Sequence, residues 1–334
     1  MNVALIGYGS IAREHARAIL ALSAMPQQAD LRLYAVVGRL REPTEAFARE
    51  FGLARATAEL DELLADPVVE AVVICSPTEV HGDQTERALR AGKHVLCEIP
   101  LATSLAETDR LIALADEADR KLMVCHTQRY HPALREARRM VEAGELHPHA
   151  VISRYLFLRR ENVNWVGRRR SWTDDLLWHH GCHAVDAALW LLGATEVEVT
   201  GQIALPGEDL GIPMDLTIAM RTPRDQLATV AMSYSSHLSL HDYLVIGEET
   251  TVQFVDDALR SPDGVIVPAG EGDALSSGLA RQDADFFEAV RDDREPPISG
   301  RAVRPAMAAL QQVQEILDAR LREAGPGTRH PRLP

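Results

Sequence analysis

The β-branched run from Val3 to Ile6 leads directly into Gly7-Tyr8-Gly9-Ser10-Ile11-Ala12, and a helical pattern of apolar residues follows from Ile11 to Leu22. A strand that turns at once into a helix through G-x-G-x-x-A leaves a chain few options. The first glycine permits the tight turn, the second lets backbone approach an anion, and the alanine keeps the helix close to the strand. The spacing therefore predicts a pyrophosphate-binding helix N-terminus built from Gly7, Gly9, Ser10, Ile11 and Ala12. Short apolar runs recur at Leu33 to Val37, Ala71 to Ile74, His94 to Cys97 and Leu122 to Cys125, separated by helical patterns at Glu79 to Ala91 and Ser104 to Ala118. Such runs read as parallel strands covered on both faces, a doubly wound Rossmann domain over residues 1–125.

From about residue 148 the pattern changes to longer alternating stretches at Val151 to Leu158, Glu196 to Leu205, Met214 to Met220, Gln226 to Tyr234 and Asp242 to Gly247. Alternation of that kind predicts a mostly antiparallel open sheet in a second α/β domain over 126–334, for substrate binding and dimerisation. Two late helical patterns, Gly278 to Arg291 and Arg301 to Ala324, are candidates to pack back on the first domain.

The end of the second strand is where an acidic residue would hold the 2′-hydroxyl of NAD. Here it reads Val37-Gly38-Arg39-Leu40-Arg41. Arg39 and Arg41 can pair with a 2′-phosphate, so NADP is the expected cofactor and NAD the alternative; solvated arginines on a loop are the competing reading.

The second half carries its own signal. His179, His180 and His183 crowd into five residues at the expected start of a helix running to Leu192, just after Arg168, Arg169 and Arg170. Bases beside guanidinium groups suit proton removal from an acidic substrate. On a helix, residues i and i+4 share a face, so His179 and His183 can reach one cleft while His180 points about a quarter-turn away. The histidines complete no recognised ligand spacing with Cys, Asp or Glu, and no metal is expected.

With 35 Lys and Arg against 49 Asp and Glu, the formal charge of −14 argues against nucleic acid or an anionic membrane as partner. Cys75, Cys97, Cys125 and Cys182 lie far apart, and the chain opens on its first strand without an export leader, so free thiols and a cytoplasmic location are expected.

The order of motifs extends the reading. After the fingerprint come Cys75-Ser76-Pro77-Thr78-Glu79-Val80-His81, then Gly92-Lys93-His94-Val95-Leu96-Cys97-Glu98-Ile99-Pro100. This order resembles the Gfo/Idh/MocA oxidoreductase family over nearly the whole chain. The resemblance implies an NAD(P)-dependent oxidoreductase acting on CH–OH donors, a homodimer formed through the second sheet, and cofactor contacts from Cys75, Ser76, Pro77, His81 and Glu98. It also places His183 at the family's catalytic histidine, with His179 as partner or alternative. Two departures stand out. Ile99 replaces the lysine of the family's Glu-Lys-Pro, and His179 stands where sugar-oxidising members commonly have Asp.

Those departures, with Arg170 to Asp174 and Leu177 to His180, are similar to a branch of aromatic catabolism that oxidises the cyclic hemiacetal of a carboxylated semialdehyde to a lactone. Arg129, Arg160 and Arg170 are then the candidates for the substrate carboxylates, with Trp172, Asp174 and His180 lining the site. A sugar or cyclitol dehydrogenase and a non-catalytic NADP-binding sensor are the alternative functions.

Overall fold

The computed structural model describes residues 1–163, 167, 169, 173–208, 210–270 and 274–325. They divide into two compact units, Met1–Tyr130 with Leu275–Arg304, and His131–Ala274 with the chain from Pro305 onward.

The first unit alternates β1 (Asn2–Ile6), α1 (Ser10–Ser23), β2 (Arg32–Val37), α2 (Arg41–Phe51), β3 (Arg55–Thr57), α3 (Leu60–Leu64), β4 (Ala71–Ile74), α4 (His81–Arg90), β5 (His94–Cys97), α5 (Leu105–Glu117) and β6 (Leu122–Val124). The strands pair in parallel in the order β3-β2-β1-β4-β5-β6. Every residue of β4 is buried, as expected for a sheet with helices on both faces. The strand order reverses between β1 and β4, and in such sheets ligands bind outside the carboxyl ends at that switch point. Gly7, Cys75, Glu98 and Cys125 all follow directly on strand ends there.

The second unit contains α6 (Pro132–Glu142), β7 (Pro148–Leu158), α7 (Gly181–Leu192), β8 (Glu198–Ile203), β9 (Asp215–Arg221), β10 (Leu227–Ser233), β11 (Ser235–Gly247), β12 (Thr251–Val255), β13 (Ala258–Ser261) and β14 (Gly264–Val267). The strands form an eight-stranded sheet in the order β14-β13-β12-β11-β7-β10-β9-β8, antiparallel throughout except for the β7–β10 pair. In β9 and β10 buried and more exposed residues alternate, which puts Leu216, Ile218, Met220, Ala228, Val230 and Met232 on the inner face. That face is covered by α7 over β7 and β10, and by α6 over β12 to β14. The other face exposes Ile152, Leu158 and Leu227. Two helices complete the chain: α8 (Ala274–Arg291), and α9 (Gly300–Ala324), whose residues from Pro305 onward belong to the second unit.

Candidate functional site

In the first unit, the G-x-G-x-x-A turn has the shape a dinucleotide requires. Gly7 sits at φ +119°, and a Cβ there would lie 2.7 Å from the Cys75 carbonyl oxygen, so no other residue fits. Gly9 caps the fourteen-residue α1, and a Cβ on it would meet nothing within 4 Å. Open ground before a helix N-terminus, reached by bare backbone, suits a pyrophosphate. Ser10 and Ile11 form the first turn of α1, and Ala12 is fully buried against the sheet.

At the end of β2, Gly38 leaves no room for a side chain because the Tyr8 ring occupies the position of its Cβ. Arg39 and Arg41 are both exposed; Arg41 Nη1 lies 3.9 Å from Glu45 in the next turn of α2. Two guanidiniums thus stand at the strand end with no tight carboxylate partner among the described residues.

The loops after β4 and β5 are tied to each other. His81 is buried with Nδ1 2.8 Å from the Pro100 carbonyl oxygen and Nε2 2.9 Å from that of Ser76, so the ring ties the two loops together. Ser76 donates to Gln84 Oε1 at 2.5 Å, and Pro77 is half-buried. Burial, reinforced by the charge of Glu98, pushes the Cys75 thiol well up, so it is a neutral wall residue. Glu98 accepts from the Ile99 N–H at 3.2 Å and lies 2.9 Å from His15 Nε2. Ile99 itself is buried and offers no polar group where a lysine was absent from the sequence pattern. Arg129 also belongs to the first unit, on a 3₁₀ turn spanning Thr127–Tyr130, and donates to the Ala302 carbonyl at 3.2 Å.

In the second unit the histidines stand on an unusual element. Leu176–His180 form a π-helical turn that runs directly into α7, with the Gly181 N–H bonded to the Leu176 carbonyl. The helical segment therefore begins at Leu176, ahead of the expected start. Asp175 caps the turn, accepting from the Leu177 and Trp178 N–H groups at 2.6 and 3.0 Å. Widened turns of this kind are frequent at functional sites because they re-aim side chains.

Around that turn the rings form one cluster. His179 Nδ1 lies 3.7 Å from the buried Asp174 carboxylate, and its ring meets His180 edge-on at 4.6 Å. His180 is bonded through Nδ1 to the Tyr234 hydroxyl and stacks on Tyr155 at 4.7 Å. Tyr155 in turn meets His241 at 4.8 Å. Burial, with the neighbouring His183, lowers the pKa of His241 to about 4, so it is neutral at ordinary pH. His183 and His179 are both half-buried rather than sealed in the core. Trp178 is buried and bonds Gln314, a packing role.

Several of these groups carry no sequence signal of their own. Tyr155 and His241 are cross-strand partners of β7 and β11, and Tyr234 follows β10. Arg159 is buried beneath them: its guanidinium lies 5.0 Å from the Tyr234 ring centre and donates to the Asp174 carbonyl at 3.3 Å and to Asn162 Oδ1 at 3.0 Å. None of these partners is charged. Its neighbour Arg160, the sequence candidate, is exposed. Arg170 and Trp172 lie outside the described residues.

Comparisons with known proteins show the family of the chain. Residues 1–126 match the family described as "Oxidoreductase family, NAD-binding Rossmann fold", and residues 132–266 match "Bacterial oxidoreductases, C-terminal". The chain is similar to 4-carboxy-2-hydroxymuconate-6-semialdehyde dehydrogenase of Sphingobium sp., at 29% identity over 95% of this chain and 99% of the relative. It is also similar to myo-inositol 2-dehydrogenase of Thermotoga maritima, at 30% identity over 97% of this chain and 99% of that one. Among solved structures, levoglucosan dehydrogenase in complex with NADH superposes with a TM-score of 0.85 at 19% identity, covering 96% of this chain and 97% of the other.

Proposed function

Because the chain belongs to the Gfo/Idh/MocA family of oxidoreductases, we propose that it is an NADP-preferring dehydrogenase that oxidises the cyclic hemiacetal of a carboxylated semialdehyde to a lactone. The substrate is of the 4-carboxy-2-hydroxymuconate-6-semialdehyde type and the product of the 2-pyrone-4,6-dicarboxylate type. The observation that carries this reading is the histidine-lined face around the π turn, with Arg159 buried beneath it and an isoleucine at position 99.

Gly7, Gly9, Ser10, Ile11 and Ala12 hold the dinucleotide pyrophosphate, Arg39 and Arg41 its 2′-phosphate, and the loops carrying Cys75, Ser76, Pro77, His81 and Glu98 shape the rest of that site. The bound nicotinamide supplies a hydride acceptor. His183 takes the hemiacetal hydroxyl proton, because imidazole starts near the working pH and Ile99 cannot accept one. His179, beside Asp174, is its partner. His180 is held by Tyr234 and Tyr155 and walls the substrate ring. Arg159 joins Arg129, Arg160, Arg170 and Trp172 as a candidate for holding the planar acid, since its described partners leave its charge uncompensated.

His183→Ala is expected to lower kcat by about 10² or more with cofactor affinity close to wild type, measured as reduced-cofactor formation. Unchanged turnover would remove His183 from this role. The match to an inositol dehydrogenase favours a second reading, a cyclitol or sugar dehydrogenase; reduction of cofactor by inositol or glucose but not by the carboxylated hemiacetal would establish it. Cofactor binding without reduction by any of these would point to a sensor.

We further propose that the open sheet face pairs with a second copy in solution. Ile152, Leu158 and Leu227 are exposed there beside a shallow trough lined by Leu156, Thr217, Ala231 and Ser233.

A further inference from the structure

One buried polar cluster in the first unit lies outside this chemistry. His15, in the second turn of α1, is wholly buried, with Nδ1 2.8 Å from Asp283 Oδ2 on α8 and Nε2 2.9 Å from Glu98 Oε1 at the end of β5. Asp283 is wholly buried as well, while the Glu98 side chain keeps 15% of its surface exposed. A neutral imidazole has one N–H, and an ionised carboxylate has none. Both contacts can be hydrogen bonds only if a second proton resides in the cluster.

The surroundings decide where. Burial opposes charge on His15, yet Asp283 and Glu98 facing it from opposite sides outweigh that and raise it to about 10. Asp283 is itself pushed up by burial, but the ring lies between two acceptors and is the better home for the proton. Among the described residues, the other titratable groups facing the cluster are Cys75, Cys97 and Cys125, from the ends of β4, β5 and β6. All three are buried thiols raised above their ordinary value, hence neutral. His15, Glu98 and Cys125 also bring their ligand atoms within 4.8 Å of one another, a set that could hold a metal ion. His15 Nε2 already meets Glu98 directly at hydrogen-bond distance, 2.9 Å, so a proton occupies that place instead.

We propose that His15 is a positioning residue for the dinucleotide site: as an imidazolium braced by Asp283, it fixes the Glu98 carboxylate at the carboxyl end of β5, on the edge where the parallel sheet receives its ligand. The pyrophosphate helix, the β5 loop and α8 are thereby fastened at one point. Loss of the ring proton would leave two carboxylates around a neutral ring, and the charged bond that ties Glu98 to α1 would be lost.

The test uses the full-length protein and NADH, whose lack of a 2′-phosphate removes a competing titration. Imidazole ¹⁵N spectra of the wild type should show both His15 nitrogens protonated from pH 6 to 9. The NADH Kd should be flat over that range and rise as pH approaches 10. His15→Gln should weaken NADH about ten-fold at pH 7, the loss of one charged hydrogen bond, and remove the His15-linked rise. Asp283→Asn, which keeps the ring but removes its brace, should move the rise toward neutral pH, a shift that a merely structural contact would not produce. A His15 ring titrating near 6.5 would overturn the proposal, as would an unchanged Kd in a folded His15→Gln protein. Stoichiometric zinc in the purified protein, lost in Cys125→Ser, would assign the cluster to a metal and overturn it equally.

Discussion

At the scale of single residues, the two arginines at the end of β2 make the cofactor preference testable. Arg39 is exposed and lies next to a glycine that only a bare backbone can satisfy, so exchanging it leaves the fold intact. Arg39→Asp is expected to weaken NADP by about 10-fold or more and NAD far less, read from the two Kd values; equal losses would show that the arginine does not read the 2′-phosphate. The candidate site was partly legible in the sequence. Gly7 announces itself because no other residue fits that turn, and Gly9 by its spacing from it. The histidines do so by crowding. Tyr155, Tyr234 and His241 do not, because their meeting depends on the register of β7 against β11 and on the course of the chain after β10, neither written in local spacing. Arg159 and Arg160 illustrate the same point: consecutive residues at a strand end face opposite ways, and a motif that covers both cannot say which is buried.

Among the elements, the largely apolar buried strands and the amphipathic helices are the ones a pattern recovers. The structure gives β4 and β5 the bounds the apolar runs mark, and β1 and β2 extend one residue earlier. Helices α2, α3 and α6 and strands β3 and β12 to β14 went unmarked. Strand β3 has three residues and β13 and β14 have four each, too few for alternation to register. The π turn was equally invisible, since an i+4 pattern reads the same whether the first turn is α or wider. Its stability rests on Asp175, whose carboxylate satisfies two otherwise orphaned N–H groups. Asp175→Ala is expected to cost about 1 kcal/mol in denaturant unfolding. It should also depress turnover by loosening His179 and His180, while NADH affinity stays unchanged. A variant with the stability loss but full turnover would show that the histidines do not depend on the cap.

Over the whole molecule, three histidines with shifted pKa values predict how stability follows pH. The folded-state values of His94, lowered by burial and then by Arg120 and Lys121, and of His241 both lie near 4, below the ordinary 6.5. Their contribution is present above pH 6.5 and lost as pH falls toward 4. His15 has the opposite sign: its folded value near 10 makes its contribution complete below pH 6.5 and lost as pH rises toward 10. The thermal midpoint should therefore peak near neutrality, and His15→Gln should flatten the alkaline limb; a wild-type midpoint still climbing at pH 9 would contradict this. The fold class was legible because buried parallel strands and half-exposed antiparallel ones leave different periodicities. No helix among the described residues is long and apolar enough to cross a membrane. The single parallel pair of the second sheet, β7 beside β10, has a further consequence. The histidine turn and α7 lie on the connection that leaves β7 and returns through β8 and β9 to its neighbour β10, so the β7–β10 ladder fixes the two strands between which they are carried. A change confined to residues 176–192 leaves that ladder in place, so the side chains carried by the turn can drift while the strands beside it keep their alignment.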